Sequence, residues 1–528
     1  MKILIYNKYM STMGGGEKHI GAVMEYLSKN NDVTILTDKE FDKELFKSRL
    51  NIDLSKTTVI VKKTNNNWEV SKISYNYDLF INSTYQSTAI GCAKKNISFL
   101  FFPINLHSRV NVKYKIFFRH FVENFLFLGY KFISPIHPLE SYNSKLGNWV
   151  DSDMFIFLNH NLGVNKIKLT YINPSDTKLE KRIISIKVGQ NKVDYKIDND
   201  VLIINIPKVM TKRDSLLVIR MHPFKHEKLS KFKNVSNSGI FLTDVHLNYN
   251  KKSYIILRKF LKKIFFVLNI LNYIYSKYEA ANILNFINYY DLFIANSSYT
   301  QYYIKKFLAV DSKVLFPPID TDIFYSSDHK KNYIISVGRF FFGSHNKKHL
   351  EMIATFKKMY DADKNLFKDW EYHICGGVEK SKIHKMYFEK VKEAAIGYPI
   401  FIHENIKLKD LIILYSESKI FWHAAGFNEN EDVSPERFEH FGITTVEAMS
   451  AGCVPIVINK AGQKQIIENH KNGILWNDIN ELSSNTILLV QNETERLKLS
   501  KEAIKRSKMF SREHFYNRTK ILIQQLYN

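Results

Sequence analysis

The sequence predicts an α/β protein built from two open sheets that face a cleft, with an all-β, sandwich-like insertion in the first half. Three observations predict it. Residues 1–40 read as strand, glycine turn, helix, strand. Residues 165–248 change to period-two runs without helical spacing. Residues 333–458 return to alternating strands and helices. At 528 residues the chain is too long for one ordinary core, so two or three domains are expected.

In the opening segment Ile3 to Tyr6 is a strand, Gly14-Gly15-Gly16 a turn, Glu17 to Asn30 a helix and Val33 to Thr37 a second strand. Leu79 to Asn82 and Ile97 to Phe101 continue the pattern. The insertion is marked by "RIISIKV", "KVDYKI", "VLIINI" and "SLLVIRM", separated by polar turns such as Asp198-Asn199-Asp200. Helical character returns at Lys251. There Lys251, Lys252, Arg258, Lys259, Lys262 and Lys263 fall on one side of a wheel, with Leu257, Phe260, Leu261, Ile264, Val267 and Leu268 mostly on the other. Such a helix can lie on an anionic membrane. It can equally pack on its own domain with a solvated lysine face.

The segment "VLFPPIDTDIF" (314–324) carries a double proline and marks a linker. Beyond it "YIISVG", "EYHICGG", "PIFIHE", "KIFWHA" and "VPIVIN" are strands with helices between them. The expected boundaries are 1–158 and 250–324 for the first domain, 159–249 for the insertion, 325–510 for the second domain and 511–528 for a terminal helix returning to the first. Ligands of open α/β sheets bind beyond the carboxyl ends of the strands, so the site is expected in the cleft.

Composition narrows the class. Cys92, Cys375 and Cys453 are too few and too scattered for a disulfide framework and read as small core residues. The start MKILIYNKYM meets Asn7 and Lys8 after a short apolar run, unlike an export signal. Nothing reaches the ~18 consecutive apolar residues of a spanning helix. A cytoplasmic location is expected, with the inner face of the membrane as the place the basic helix would add. The formal charge of +24 favours an anionic partner, although Lys, Asn and Ile are abundant together, as AT-rich coding DNA would give. No aromatic-basic nucleic-acid module is present, so nucleic acid is not expected.

The densest chemistry is in "EHFGITTVEAMSAGCVPIV", residues 439–457. A loop leads through Gly442 into a helix from about Thr444 to Ala451, and a buried strand follows. The helix start offers unpaired N–H groups and a positive dipole end, an anion site. Glu439 precedes it and Glu447 lies one turn inside. Alone, Glu447 would be an ordinary first-turn acid and Glu439 a solvated loop acid. Upstream, in "SVGRFFFGSHNKKHLEMI", Arg339 follows a strand and Lys347 precedes a helix. Together they could neutralise a leaving diphosphate, whereas either alone reads as a surface cation. The Gly14-Gly15-Gly16-Glu17 loop lets a ligand approach the backbone, but it is not the dinucleotide pattern.

With these motifs in order, the C-terminal half resembles family 4 glycosyltransferases of the GT-B fold, in which two Rossmann-like domains face a cleft. The match rests on Glu439-HFGITTV-Glu447 followed by AMSAGCVPIV, on "SVGR" with a following Lys, and on "ICGG" (374–377). "VLFPPIDTDIF", "ANSSYTQYYI" (295–304) and the N-terminal glycine loop with Glu17 support it. It is strong over about 290–480, moderate over 1–110 and absent from the insertion. The stretch "FWHAAGFNENED" is similar to a bacterial subgroup resembling lipid-linked oligosaccharide mannosyltransferases.

The resemblance implies a retaining, metal-independent hexosyltransferase of cell-envelope glycan synthesis, such as lipopolysaccharide or capsule. It implies GDP-mannose as donor, with a UDP-sugar as the alternative, and a glycan or glycolipid acceptor. It places Glu439 by the sugar hydroxyls and Glu447 on the ribose. Backbone groups of Phe441, Gly442, Ile443 and Thr444 would meet the sugar or diphosphate, with Gly15 and Gly16 opposite. Arg339 and Lys347 would hold the diphosphate, with Lys348 a rival for that role. The related mannosyltransferases carry a His before an N-terminal Pro. Here "FLFFPINLH" has Phe102 before Pro103, and His107 is the candidate replacement.

Asp320-Thr321-Asp322 and Asp198-Asn199-Asp200 have the D-x-D form of metal-dependent transferases. Neither has an obvious second cluster of ligands, so no metal or other cofactor is expected. The competing reading is a carbohydrate-binding or scaffold protein on a transferase-derived fold, with the β insertion as its working part.

Overall fold

The computed structural model describes residues 1–64, 67–103, 130–134, 136–158, 164–207, 216–223, 238–248, 256, 260, 286–287, 289–343, 346–378 and 381–527. The chain opens with β1 (Lys2–Tyr6), β2 (Asp32–Thr37), β3 (Thr58–Val61), β4 (Leu79–Asn82) and β5 (Lys95–Leu100). A β-rich region follows, with β6 (Tyr130–Phe132), β7 (Ile136–Tyr142), β8 (Lys145–Asp151), β9 (Asp153–Leu158), β10 (Lys166–Ile172) and β11 (Ile183–Val188). It continues with β12 (Asn191–Lys192), β13 (Tyr195–Asp198), β14 (Val201–Asn205), β15 (Leu216–Met221) and β16 (Ser238–Leu247). Then come β17 (Leu292–Ala295) and β18 (Lys313–Val314). The second α/β unit has β19 (Tyr333–Val337), β20 (Glu371–Gly376), β21 (Ile400–Glu404), β22 (Ile420–His423), β23 (Val454–Ile458) and β24 (Ile474–Trp476).

The first sheet has the order β18-β17-β5-β4-β1-β2-β3, and its neighbours pair in parallel. Helix α1 (Gly15–Leu27) makes the crossover from β1 to β2. It starts at Gly15 because Gly14 caps it and the Gly14 N–H donates to Glu17 Oε2 at 2.9 Å. Ile3, Ile5, Ile35 and Ile81 share a core with Phe515, Leu522 and Leu526. Those three belong to the last helix, Arg512–Tyr527, which completes the core of the first domain.

The antiparallel region begins earlier than the expected boundary at 159. Strand β9 pairs with β15, Phe157 opposite Leu216, and β8 pairs with β16. The run "DMFIFL" is apolar on both faces, like a parallel strand, so it reads as part of the α/β domain until its partners are known. Two sheets result, β13-β14-β10-β16-β8-β7 and β12-β11-β15-β9-β6. Ile156, Ile186, Leu217 and Ile219 of one share a core with Ile167, Leu169, Leu202 and Ile240 of the other. Phe155 seats this region on the first domain through edge contacts with Trp68 and Tyr75.

The second α/β unit is a sheet of order β21-β20-β19-β22-β23-β24, again parallel. Its core runs from Ile334 and Phe356 through Trp422 and Ile456 to Trp476. Trp422 is 1% exposed and its indole N–H donates to Thr486 Oγ1 at 3.1 Å, so its burial carries little polar cost.

The expected basic helix over 251–268 lies outside the described residues, apart from the exposed Ile256 and Phe260. Among the described residues no helix is long and apolar enough to cross a membrane.

Candidate functional site

Two helix starts meet where the two α/β units face each other. Helix α1 begins at Gly15, and α2 (Ile443–Ser450) begins after Gly442. A Cβ on Gly15 would lie 3.1 Å from Ile443 Cδ1, so the glycine lets the two backbones approach. Gly442 has φ 117°, a conformation that glycine tolerates and other residues rarely adopt. Phe441 anchors the loop by packing on Phe316 at 5.5 Å and Phe510 at 5.3 Å. Ile443 and Thr444 remain partly open, and the Thr444 carbonyl accepts from the Tyr415 hydroxyl at 3.3 Å.

Glu439 lies on the loop before α2, with its side chain 21% exposed. Lys347 Nζ pairs with its Oε2, and His423 Nε2 approaches the same oxygen at 3.2 Å. Burial pushes the carboxyl up, but Lys347 and His423 outweigh it and hold the Glu439 pKa well below the usual carboxylate range. Lys347 reaches this place because its stem crosses Gly338, where a Cβ would lie 2.7 Å from Lys347 Cγ. Gly376 is required in turn, since its Cβ would meet the Gly338 carbonyl. The "SVGR" and "ICGG" strand ends are thus packed glycine on glycine.

Lys348 points elsewhere. It caps the helix His349–Ala362 with φ 62°, and its Nζ pairs with Glu429 Oε1 at 3.0 Å. Arg437 holds the other Glu429 oxygen at 3.1 Å. Of the two rival lysines, only Lys347 joins Glu439. Arg339 follows Gly338 at the end of β19, is exposed, and lies 5.7 Å over the Phe341 ring.

Glu447 is buried on α2, where burial raises its pKa against the lowering effect of Lys18. Lys18 of α1 bridges the two units, 3.5 Å from Glu447 Oε1 and 3.0 Å from Asp320 Oδ2. Asp320 also binds Arg512, which pairs with Glu25 at 2.9 Å. The first D-x-D candidate is therefore committed to lysine and arginine, while Asp322 is exposed and 3.6 Å from Lys508. Among the described residues no group of three or more His, Cys, Asp or Glu could hold a metal.

Sequence reasoning missed Lys18, His423 and Phe102 as members of the site. Phe102 stacks on His440 at 4.4 Å and packs beside Tyr299, Tyr303 and Phe438, joining the two units at the cleft. The phenylalanine before Pro103 is thus an interdomain contact. His107 lies outside the described residues.

A family model described as glycosyl transferases group 1 matches residues 321–506. A GDP-Man:Man(3)GlcNAc(2)-PP-Dol alpha-1,2-mannosyltransferase of Dictyostelium discoideum is 24% identical over 252 residues, 45% of this chain. The chain spans about half of that relative, 48% of its length. Anabaena HepE in complex with UDP-glucose superposes over 99% of this chain and 100% of its own, with TM-score 0.54 and 10% identity. Sucrose-phosphate synthase of Thermosynechococcus elongatus covers 100% and 99%, with TM-score 0.51 and 11% identity. The chain has the GT-B fold, and its residues 321–506 form a glycosyl transferases group 1 domain.

Proposed function

We propose that the protein is a retaining, metal-independent glycosyltransferase. It moves a hexose, mannose favoured, from a nucleoside diphosphate sugar to a lipid-linked or polysaccharide acceptor at the cytoplasmic face of the membrane. The observation that carries this is the pair Glu439 and Glu447 flanking the start of α2, each beside a lysine that reaches it from another element. Partial support for mannose and a lipid-linked acceptor comes from the Dictyostelium relative.

In this reading the ribose hydroxyls bind Glu447, taking the place of Lys18 on that carboxylate. The diphosphate lies against the α2 N–H groups and the Gly15-Gly16 turn. Arg339 and Lys347 neutralise it as the glycosidic bond breaks, so Lys347 moves from Glu439 to phosphate. Glu439 then faces the sugar hydroxyls and the positive charge of an oxocarbenium-like state. Transfer assays with radiolabelled GDP-mannose, UDP-glucose and UDP-N-acetylglucosamine, in EDTA and with a bacterial lipid extract, test it. Label from GDP-mannose is expected in the lipid fraction. Label from no donor would contradict the enzymatic reading.

A further inference from the structure

We infer that His423 is the positioning residue for Glu439, holding that carboxylate against the donor sugar once Lys347 has left for the diphosphate. The inference rests on the transferase reading above. Both partners of Glu439 contact Oε2, and among the described residues Oε1 accepts no hydrogen bond. The carboxylate is thus held by one oxygen and offers the other.

The two partners differ in rigidity. His423 is the last residue of β22, pairs in register with Val457 of β23, and has a side chain 3% exposed. Lys347 lies before its helix on a flexible four-carbon stem. A diphosphate brings more negative charge than one carboxylate, so it draws Lys347 away. A part-buried carboxylate stripped of its cation is costly and would turn toward water. The His423 hydrogen bond remains to prevent that.

The imidazole suits the task. Burial pushes its pKa down, against Glu439, so the ring is neutral at pH 7 with a single N–H. The contact with a carboxylate puts that hydrogen on Nε2. Nδ1 is buried and has no hydrogen-bond partner among the described residues. The ring's one donor is spent on Glu439.

His423→Met and His423→Gln separate positioning from packing, since they have equal reach and only glutamine carries an N–H donor. His423→Met is expected to lower kcat about 10–100-fold, with the Kd for the nucleoside diphosphate unchanged. His423→Gln is expected to recover kcat to within about 5-fold of the wild type. Equal kcat in the two variants, whether both normal or both low, would overturn the inference. A wild type that transfers no sugar would instead overturn the transferase reading on which it rests.

Discussion

Replacing Glu439 with glutamine is expected to lower kcat about 10²–10³-fold while nucleoside diphosphate affinity stays within about threefold. Glutamine keeps the shape and the contact with His423 but removes the charge. Before the donor binds that charge is secure at neutral pH, because Lys347 and His423 hold the carboxyl well down against burial. In the proposed transfer its contribution is greatest when positive charge develops on the sugar, so its loss falls on kcat. The variant also leaves Lys347 without its counter-charge in the empty site, which favours its move to phosphate and protects donor binding. Steady-state kinetics with parallel nucleotide titrations check both halves. An unchanged kcat would remove Glu439 from the chemistry.

Asp320→Ala is expected to be the most destabilising change in the interdomain network, by about 3 kcal/mol, the lower end for breaking a buried ion pair. The Asp320 side chain is 4% exposed and stands between Lys18 and Arg512. The Asn51 amide also donates to it at 3.3 Å. Its removal leaves Lys18 with Glu447 as its one carboxylate among the described residues, at 3.5 Å, and Arg512 with Glu25. Arg512 retains Glu25, whose Oε2 also accepts from the Tyr516 hydroxyl at 2.6 Å, so the last helix loosens without detaching. A urea or thermal midpoint reads the loss, and an Asp320→Ala midpoint equal to the wild type would mean that the ion pairs contribute nothing net.

Much of this architecture was legible because local periodicity writes it. Several parallel strands, such as β19 and β23, are short apolar runs with a glycine close by, and Glu439, Gly442 and Glu447 lie within one stretch of chain. What was not legible depends on partners far apart in sequence. Asp320 looks like half of a metal motif until Lys18 and Arg512, from opposite ends of the chain, are seen to hold it. His423 looks like the polar end of a buried strand until the Glu439 loop folds over it. Strand β9 has the composition of a parallel strand, and only its pairing with β15 assigns it to the antiparallel region. Lys347 and Lys348 are indistinguishable as neighbours. The left-handed backbone at Lys348 sends their side chains to different carboxylates.

The most direct test of the nucleotide-sugar site is a calorimetric titration of GDP and of UDP into the purified protein in EDTA. The wild type is expected to bind one of the two at a single site, and Glu447→Ala to bind it at least about tenfold more weakly, through loss of the proposed ribose contact. Folded wild-type protein that binds neither nucleotide, or a Glu447→Ala variant that binds as tightly as the wild type, would contradict that assignment.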